Sequence, residues 1–211
     1  MLFRSNNLFI YICFKCKTIM KKILIIDAHP NENSFCCSIA KRYESTLMSQ
    51  DVEVKRVRLG DLVFDPILRY GYQKRMDLEP DLLKALELLK WCDLIVWVYP
   101  VWWSSMPALA KGFIDRLFLP GLTYEVIPNS YFMKGLLKGK KLQIITTLDQ
   151  PSWFYKLYFK APSEHQIKQI FRLCGVKKIS TLYFGPIKTS TTDKRVYWLS
   201  RVERLALKTI R

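Results

Sequence analysis

The chain has 211 residues, half of them hydrophobic and 14% aromatic, which excludes disorder and suits one domain with one continuous core. Its 34 lysines and arginines against 18 acidic residues give a formal net charge of +16 and a pI near 9.6. That field attracts anions: nucleotide phosphates, acidic membranes, nucleic acid or acidic partners. The cations are spread in pairs (Lys21-Lys22, Lys41-Arg42, Lys140-Lys141, Lys177-Lys178), as on a solvated surface. No zinc-finger, RNA-binding or basic-zipper pattern accompanies them, so no nucleic-acid partner is expected.

In chain order, residues 1–19 read apart from the rest. The apolar run Leu8–Phe14 is too short to span a bilayer and has no small-residue cleavage site after it. Met20-Lys21-Lys22 leads directly into Ile23-Leu24-Ile25-Ile26, so we expect translation to start at Met20, with 1–19 a loose tail or misassigned start and 20–211 the domain. Cys13 and Cys16 have a redox or zinc half-site spacing without a second pair, and no metal site is expected. Cys36 and Cys37 are adjacent, while Cys92 and Cys174 lie in apolar segments. This usage suggests a reducing, cytoplasmic setting.

Ile23–Ile26 reads as a strand buried on both faces. Ser34 is placed to cap a helix carrying Ile39, Tyr43, Leu47 and Met48. Val52–Val57 alternates apolar with charged residues, as an edge strand does. Residues 59–75 read as a long connection, and Pro80 opens a helix through Leu82, Leu86 and Leu89. Leu94–Val98 is the plainest buried strand. Pro107 opens a helix to about Phe118, 119–138 is a second long excursion, and Lys141–Thr147 is a strand. The aromatic-rich 153–159 precedes a helix over Glu164–Cys174, capped by Gly175. Lys178–Phe184 is the last strand, and Thr191 or Thr192 caps a final helix. Five such strands alternating with helices predict a doubly wound parallel sheet covered on both faces, with ligands bound beyond the strands' carboxyl ends.

Three loops would then meet at one edge. In 27–34, a helix N-terminus, the hydroxyls of Ser34 and Ser38 and the imidazole of His29 could hold an anion without any glycine-rich fingerprint. In 99–106, Trp102 and Trp103 follow a buried strand and could accept a flat heterocycle, although core packing of an indole is the alternative. In 147–155, amides and hydroxyls could line a polar rim.

Residues 99–118, Tyr-Pro-Val-Trp-Trp-Ser-Ser-Met-Pro-Ala-Leu-Ala-Lys-Gly-Phe-Ile-Asp-Arg-Leu-Phe, resemble the signature of the NAD(P)H:quinone oxidoreductase (DT-diaphorase-like) family of the flavodoxin-like superfamily. The resemblance runs from about Met20 to the C-terminus. It implies a flavodoxin-like three-layer sandwich with a five-stranded parallel sheet. It further implies that His29, Ser34, Phe35, Cys36 and Cys37 hold a flavin phosphate. Pro100, Val101, Trp102, Trp103 and Ser104 would border the flavin ring, and Thr146, Thr147 and Leu148 would complete its far side. Lys111, Gly112, Asp115 and Arg116 would be structural. Leu148-Asp149 stand where the family often has Gly-Gly. Tyr155 and His165 lie near the position of residues that assist hydride transfer in some relatives, though off the expected spacing.

The implied activity is two-electron hydride transfer from NADH or NADPH, through FMN or FAD, to a quinone or other small acceptor. A homodimer is implied, while contact with a membrane surface is permitted but not required. The alternatives are a flavodoxin-type electron carrier, which the basic charge disfavours, and a regulatory subunit of a membrane potassium–proton antiporter.

Overall fold

The computed structural model describes residues 21–210; the start at Met20 and the Cys13/Cys16 spacing lie outside them. The first strand, β1 (Lys21–Asp27), leads through a turn into α1 (Phe35–Leu47), and β2 (Val52–Arg58) follows. After a long connection come α2 (Pro80–Trp91), β3 (Leu94–Pro100) and α3 (Ala108–Leu117). A hairpin of β4 (Tyr124–Val126) and β5 (Met133–Gly135) precedes β6 (Lys141–Thr147). The chain ends with α4 (Ser152–Leu157), α5 (Pro162–Leu173), β7 (Lys178–Phe184) and α6 (Thr192–Ile210).

β1, β2, β3, β6 and β7 form an all-parallel sheet of order β2-β1-β3-β6-β7. Its two faces follow from strand alternation. Ile23, Ile25, Val96 and Val98 pack under α1 and α6, against Ile39, Tyr43, Trp198 and Val202. Leu24, Ile26, Ile95 and Trp97 pack on the opposite face under α2, α3 and α5, against Leu86, Phe113 and Phe171. β3 is buried at all seven positions, as a central parallel strand should be. β2 is an edge strand with Glu53 and Lys55 exposed, in keeping with its alternating sequence.

The structure departs from the sequence expectation in two segments. The excursion 119–138 contains the β4–β5 hairpin, whose three-residue strands are too short to leave a periodic signal. The aromatic segment after Pro151 forms the short helix α4.

The residues of the 99–118 motif brace this scaffold. Arg116 is fully buried and grips Glu79 with two hydrogen bonds of 3.0 and 2.9 Å. It also donates to the Asp65 carbonyl at 2.5 Å and the Asp77 carbonyl at 2.7 Å, clamping the 59–79 connection. At Gly112, α3 touches that connection so closely that a Cβ would sit 2.4 Å from Pro66 Cβ. Lys111 pairs with Asp115 one turn on, at 2.6 Å.

Candidate active site

β1, β3 and β6 end side by side at Asp27, Pro100 and Thr147. β1 leads outward to β2, while β3 lies on its other side, so the chain reverses its winding between β1 and β3. Crevices form at that switch point.

The turn after β1 is bonded mostly to itself. Its His29 N–H donates to Asp27 Oδ1 (3.3 Å), Asn31 N–H to His29 Nδ1 (3.0 Å) and Asn33 N–H to Asn31 Oδ1 (2.9 Å). Ser34 caps α1, its Oγ accepting from Cys37 N–H at 3.1 Å. The N–H groups of Phe35 and Cys36 fall in the first turn of α1, where a helix has no partner of its own for them. Because His29 Nδ1 is an acceptor, Nε2 carries the hydrogen. Burial lowers the pKa of this imidazole, against the pull of Asp27, so it is a neutral donor at pH 7. Gly60 backs the turn, and a Cβ there would lie 2.5 Å from the Pro30 carbonyl oxygen.

The turn after β3 is strained. Trp102 and Ser105 exchange two backbone hydrogen bonds of 2.9 and 2.8 Å, closing a two-residue turn. Its central residues, Trp103 and Ser104, have φ of +48° and +60°. Asn-Gly normally fills such a turn, and each non-glycine residue there costs about 1–2 kcal/mol. The strain turns the Trp103 indole wholly into solvent. Trp102 is half-exposed and meets the His29 ring edge-on, with centroids 5.4 Å apart. Strain of this kind collects at functional rims.

The turn after β6 is tied down from two sides. Val101 N–H donates to the Thr147 carbonyl at 2.7 Å, and Leu148 N–H to the Phe184 carbonyl at 3.0 Å. Ile187 N–H donates to Leu148 O at 3.0 Å, which draws the segment after β7 into the site. Cys36 Sγ lies 3.2 Å from Thr147 Oγ1, joining α1 to β6.

Together these turns enclose a cleft of two lobes sharing Val101, Trp102, Leu148 and Asp149. The narrower lobe, about 260 Å³, reaches His29, Asn31, Ser34, Phe35 and Cys36 at the α1 end. The wider, about 700 Å³, is walled by Trp102, Trp103 and Phe159. The cleft suits an elongated ligand with a polar or anionic tail at α1 and a flat ring against the indoles.

Of the residues singled out in the sequence, His29, Ser34, Phe35, Cys36, Pro100, Val101, Trp102, Trp103, Ser104, Thr147 and Leu148 line the cleft. Cys37, Ser38 and Thr146 do not. Cys37 and Thr146 are buried behind the wall, and Ser38 bonds back to the Ser34 carbonyl at 3.3 Å. Tyr155 is fully buried one layer behind Val101 and Leu148, its hydroxyl accepting from Ser163 N–H at 3.2 Å. His165 is exposed on α5, 3.2 Å from Gln169 one turn on, and lines neither lobe. Asn31, Asp149 and Gln150 line the cleft from loops the sequence marked. Ile187 enters from a segment that carried no signal, and Phe159 from the end of the aromatic-rich segment, to which the sequence assigned no part in the site.

A sheet of this order with a cleft at its switch point defines a flavodoxin-type α/β protein. A family model for the flavodoxin-like fold matches residues 21–201, and the chain belongs to that family, within its NAD(P)H:quinone oxidoreductase-like branch. It is 32% identical to an uncharacterized NAD(P)H oxidoreductase of Haemophilus influenzae, over 78% of this chain and 83% of that one. It is 27% identical to the ribosyldihydronicotinamide dehydrogenase [quinone] of Rattus norvegicus, over 88% and 90% of the two chains. Among solved structures, Smu.1420 from Streptococcus mutans superimposes with a TM-score of 0.77 at 32% identity, covering 87% of this chain and 97% of that one.

Proposed function

We propose that this chain is a flavin-dependent NAD(P)H oxidoreductase that reduces a quinone or similar small acceptor. The single observation that carries this reading is the two-lobed cleft, with a helix N-terminus at one end and paired indoles at the other. The residues fit a flavin: Ser34 Oγ, His29 Nε2–H and the first N–H groups of α1 are donors for a phosphate, and Trp102 and Trp103 are planar walls for a ring. A bound flavin supplies the two-electron chemistry between nicotinamide and acceptor, and the protein supplies orientation and polarity. In the β3 and β6 turns the N–H groups of Val101, Trp102, Ser105 and Leu148 are already bonded within the protein, so those of Trp103, Ser104, Asp149 and Gln150 would be the ones left to polarise a bound ring. With a flavin ring against the indoles, donor and acceptor would have to enter the wider lobe, about 700 Å³ in volume, in turn. With Tyr155 and His165 outside both lobes, no side-chain acid is assigned to the acceptor's proton.

The net charge of +16 supports NADPH, the more anionic donor, and disfavours the electron-carrier reading. The four free, buried cysteines among the described residues support a reducing, cytoplasmic setting. Exposed apolar side chains on the β4–β5 hairpin (Tyr131, Phe132) and on α4 (Trp153, Leu157) support a homodimer. Light scattering on the purified protein tests the dimer. The function is tested by flavin absorbance in the purified protein, followed by NADPH oxidation with a quinone and no protein partner. A preparation that stays colourless after incubation with FMN and FAD refutes it.

A further inference from the structure

The narrow lobe meets an anion with neutral donors alone. Among the described residues no lysine or arginine lines it, despite the charge of the chain, and the one carboxylate-bearing residue that does is Asp149. Beneath the same turn lies Asp27, the last residue of β1, with its side chain fully buried. Its Oδ1 accepts from His29 N–H, while Oδ2 has no hydrogen-bond partner among the described residues. The groups around it are His29 from the turn, Cys36, Cys37 and Lys41 from α1, and Arg56 and Arg58 from β2. The flank on β3 is the apolar Val98.

Neither arginine is free to answer Asp27. Arg56 Nε bonds Glu44 Oε2 at 2.6 Å, and Arg58 is gripped by both carboxylate oxygens of Asp61. Three carboxylates thus face two guanidiniums, and Asp27 is the carboxylate left without an ion-pair partner. It stands below the first turn of α1, the source of the positive potential on which an incoming phosphate depends. Two anions would compete for one helix end.

We propose that Asp27 is a selectivity residue that opposes the phosphate of a bound flavin, weakening phosphorylated flavin while leaving the ring in the indole lobe untouched. This rests on the flavin reading above. Burial pushes the Asp27 carboxyl above its ordinary value of 3.8, against the His29 N–H bond, the neighbouring Cys37 thiol and the two arginines. It therefore takes its proton at a higher pH than a surface aspartate and then ceases to oppose the phosphate. At effective dielectric constants of about 20 to 80, a unit charge on the order of 7 Å from a phosphate weighs on affinity by roughly three- to fifty-fold per phosphate charge, with ten-fold near the middle of that range.

The test is titration of the full chain, freed of flavin, with FMN and with riboflavin, followed by flavin fluorescence. Wild type is compared with Asp27→Asn, which keeps an acceptor for His29 N–H, and with Asp27→Ser. At pH 7.5 both variants should bind FMN roughly ten-fold tighter, with riboflavin affinity within two-fold of wild type. As the pH is lowered, the FMN affinity of wild type should approach that of Asp27→Asn, at a higher pH than a surface aspartate would allow. An FMN-to-riboflavin ratio that is unmoved, or that falls in both variants, overturns the proposal and leaves the flavin reading standing. If no protein in the series binds either flavin, the flavin reading fails and the role of Asp27 goes with it.

Discussion

Trp103 combines a φ of +48° with an indole that is 100% exposed, so Trp103→Gly removes backbone strain and almost no packing. A non-glycine residue in this region costs about 1–2 kcal/mol, and glycine gives back part of that gain through the larger entropy of its unfolded chain. The flavin-free protein should therefore be unchanged or more stable by up to about 1 kcal/mol, a rise of about 2–4 °C in Tm for a chain of this size. Flavin affinity should move the other way. Loss of one aromatic wall is worth about 0.5–1.5 kcal/mol, a weakening of about three- to ten-fold. Thermal unfolding of the flavin-free protein and fluorescence titration with FMN measure the two effects separately. A variant that melts well below wild type would place the indole in a packed environment. One with undiminished FMN affinity would remove Trp103 from the ring wall.

Other substitutions report on the scaffold and the rim. Gly112→Ala would set a Cβ 2.4 Å from Pro66 Cβ and 2.6 Å from its carbonyl oxygen, so it should cost about 1–3 kcal/mol in a urea melt. Arg116→Leu leaves Glu79 and two carbonyls without their donor and should cost about 3 kcal/mol, with earlier proteolysis in 59–79. Burial pushes the Glu79 carboxyl up, but the Arg116 hydrogen bonds and the Asp65 N–H outweigh this and hold it below its ordinary 4.5. Its contribution to stability is thus complete above about pH 4.5 and is lost as the pH falls through the lower folded value, so Glu79→Gln should flatten acid unfolding in that window. Tyr155→Phe leaves the buried Ser163 N–H without its acceptor and should cost about 1–2 kcal/mol, while quinone turnover stays within about two-fold; a loss of a hundred-fold would return the hydroxyl to the chemistry.

How much was legible before the fold was known depended on the range of the interaction that carried each feature. The runs Ile23–Ile26 and Leu94–Val98, the Ser34 cap, Pro80 at its helix start and Gly175 past the end of α5 are local matters of periodicity and backbone preference. They therefore stood in the sequence at the places where the structure has them. The two turns richest in unusual residues, 29–36 and 100–104, were legible for the same reason. Tyr155 and His165 were placed by spacing along the chain alone, and spacing is blind to which side of a wall a side chain takes. The packing of α4 against Val101 and Leu148 puts Tyr155 behind the cleft, and the register of α5 turns His165 outward.

Hydrophobic alternation and turn chemistry, written residue by residue, determined the five strands of the parallel sheet, the five longer helices and the edge at which ligands gather, but neither the β4–β5 hairpin nor α4. Tertiary structure alone decided that Ile187 and Phe159 join the cleft, that Arg116 closes over 59–79, and that Asp27 is sealed beneath the phosphate end with one oxygen unanswered. Those facts depend on contacts between residues far apart in the chain. Such contacts follow from how whole elements pack, and no local pattern encodes them.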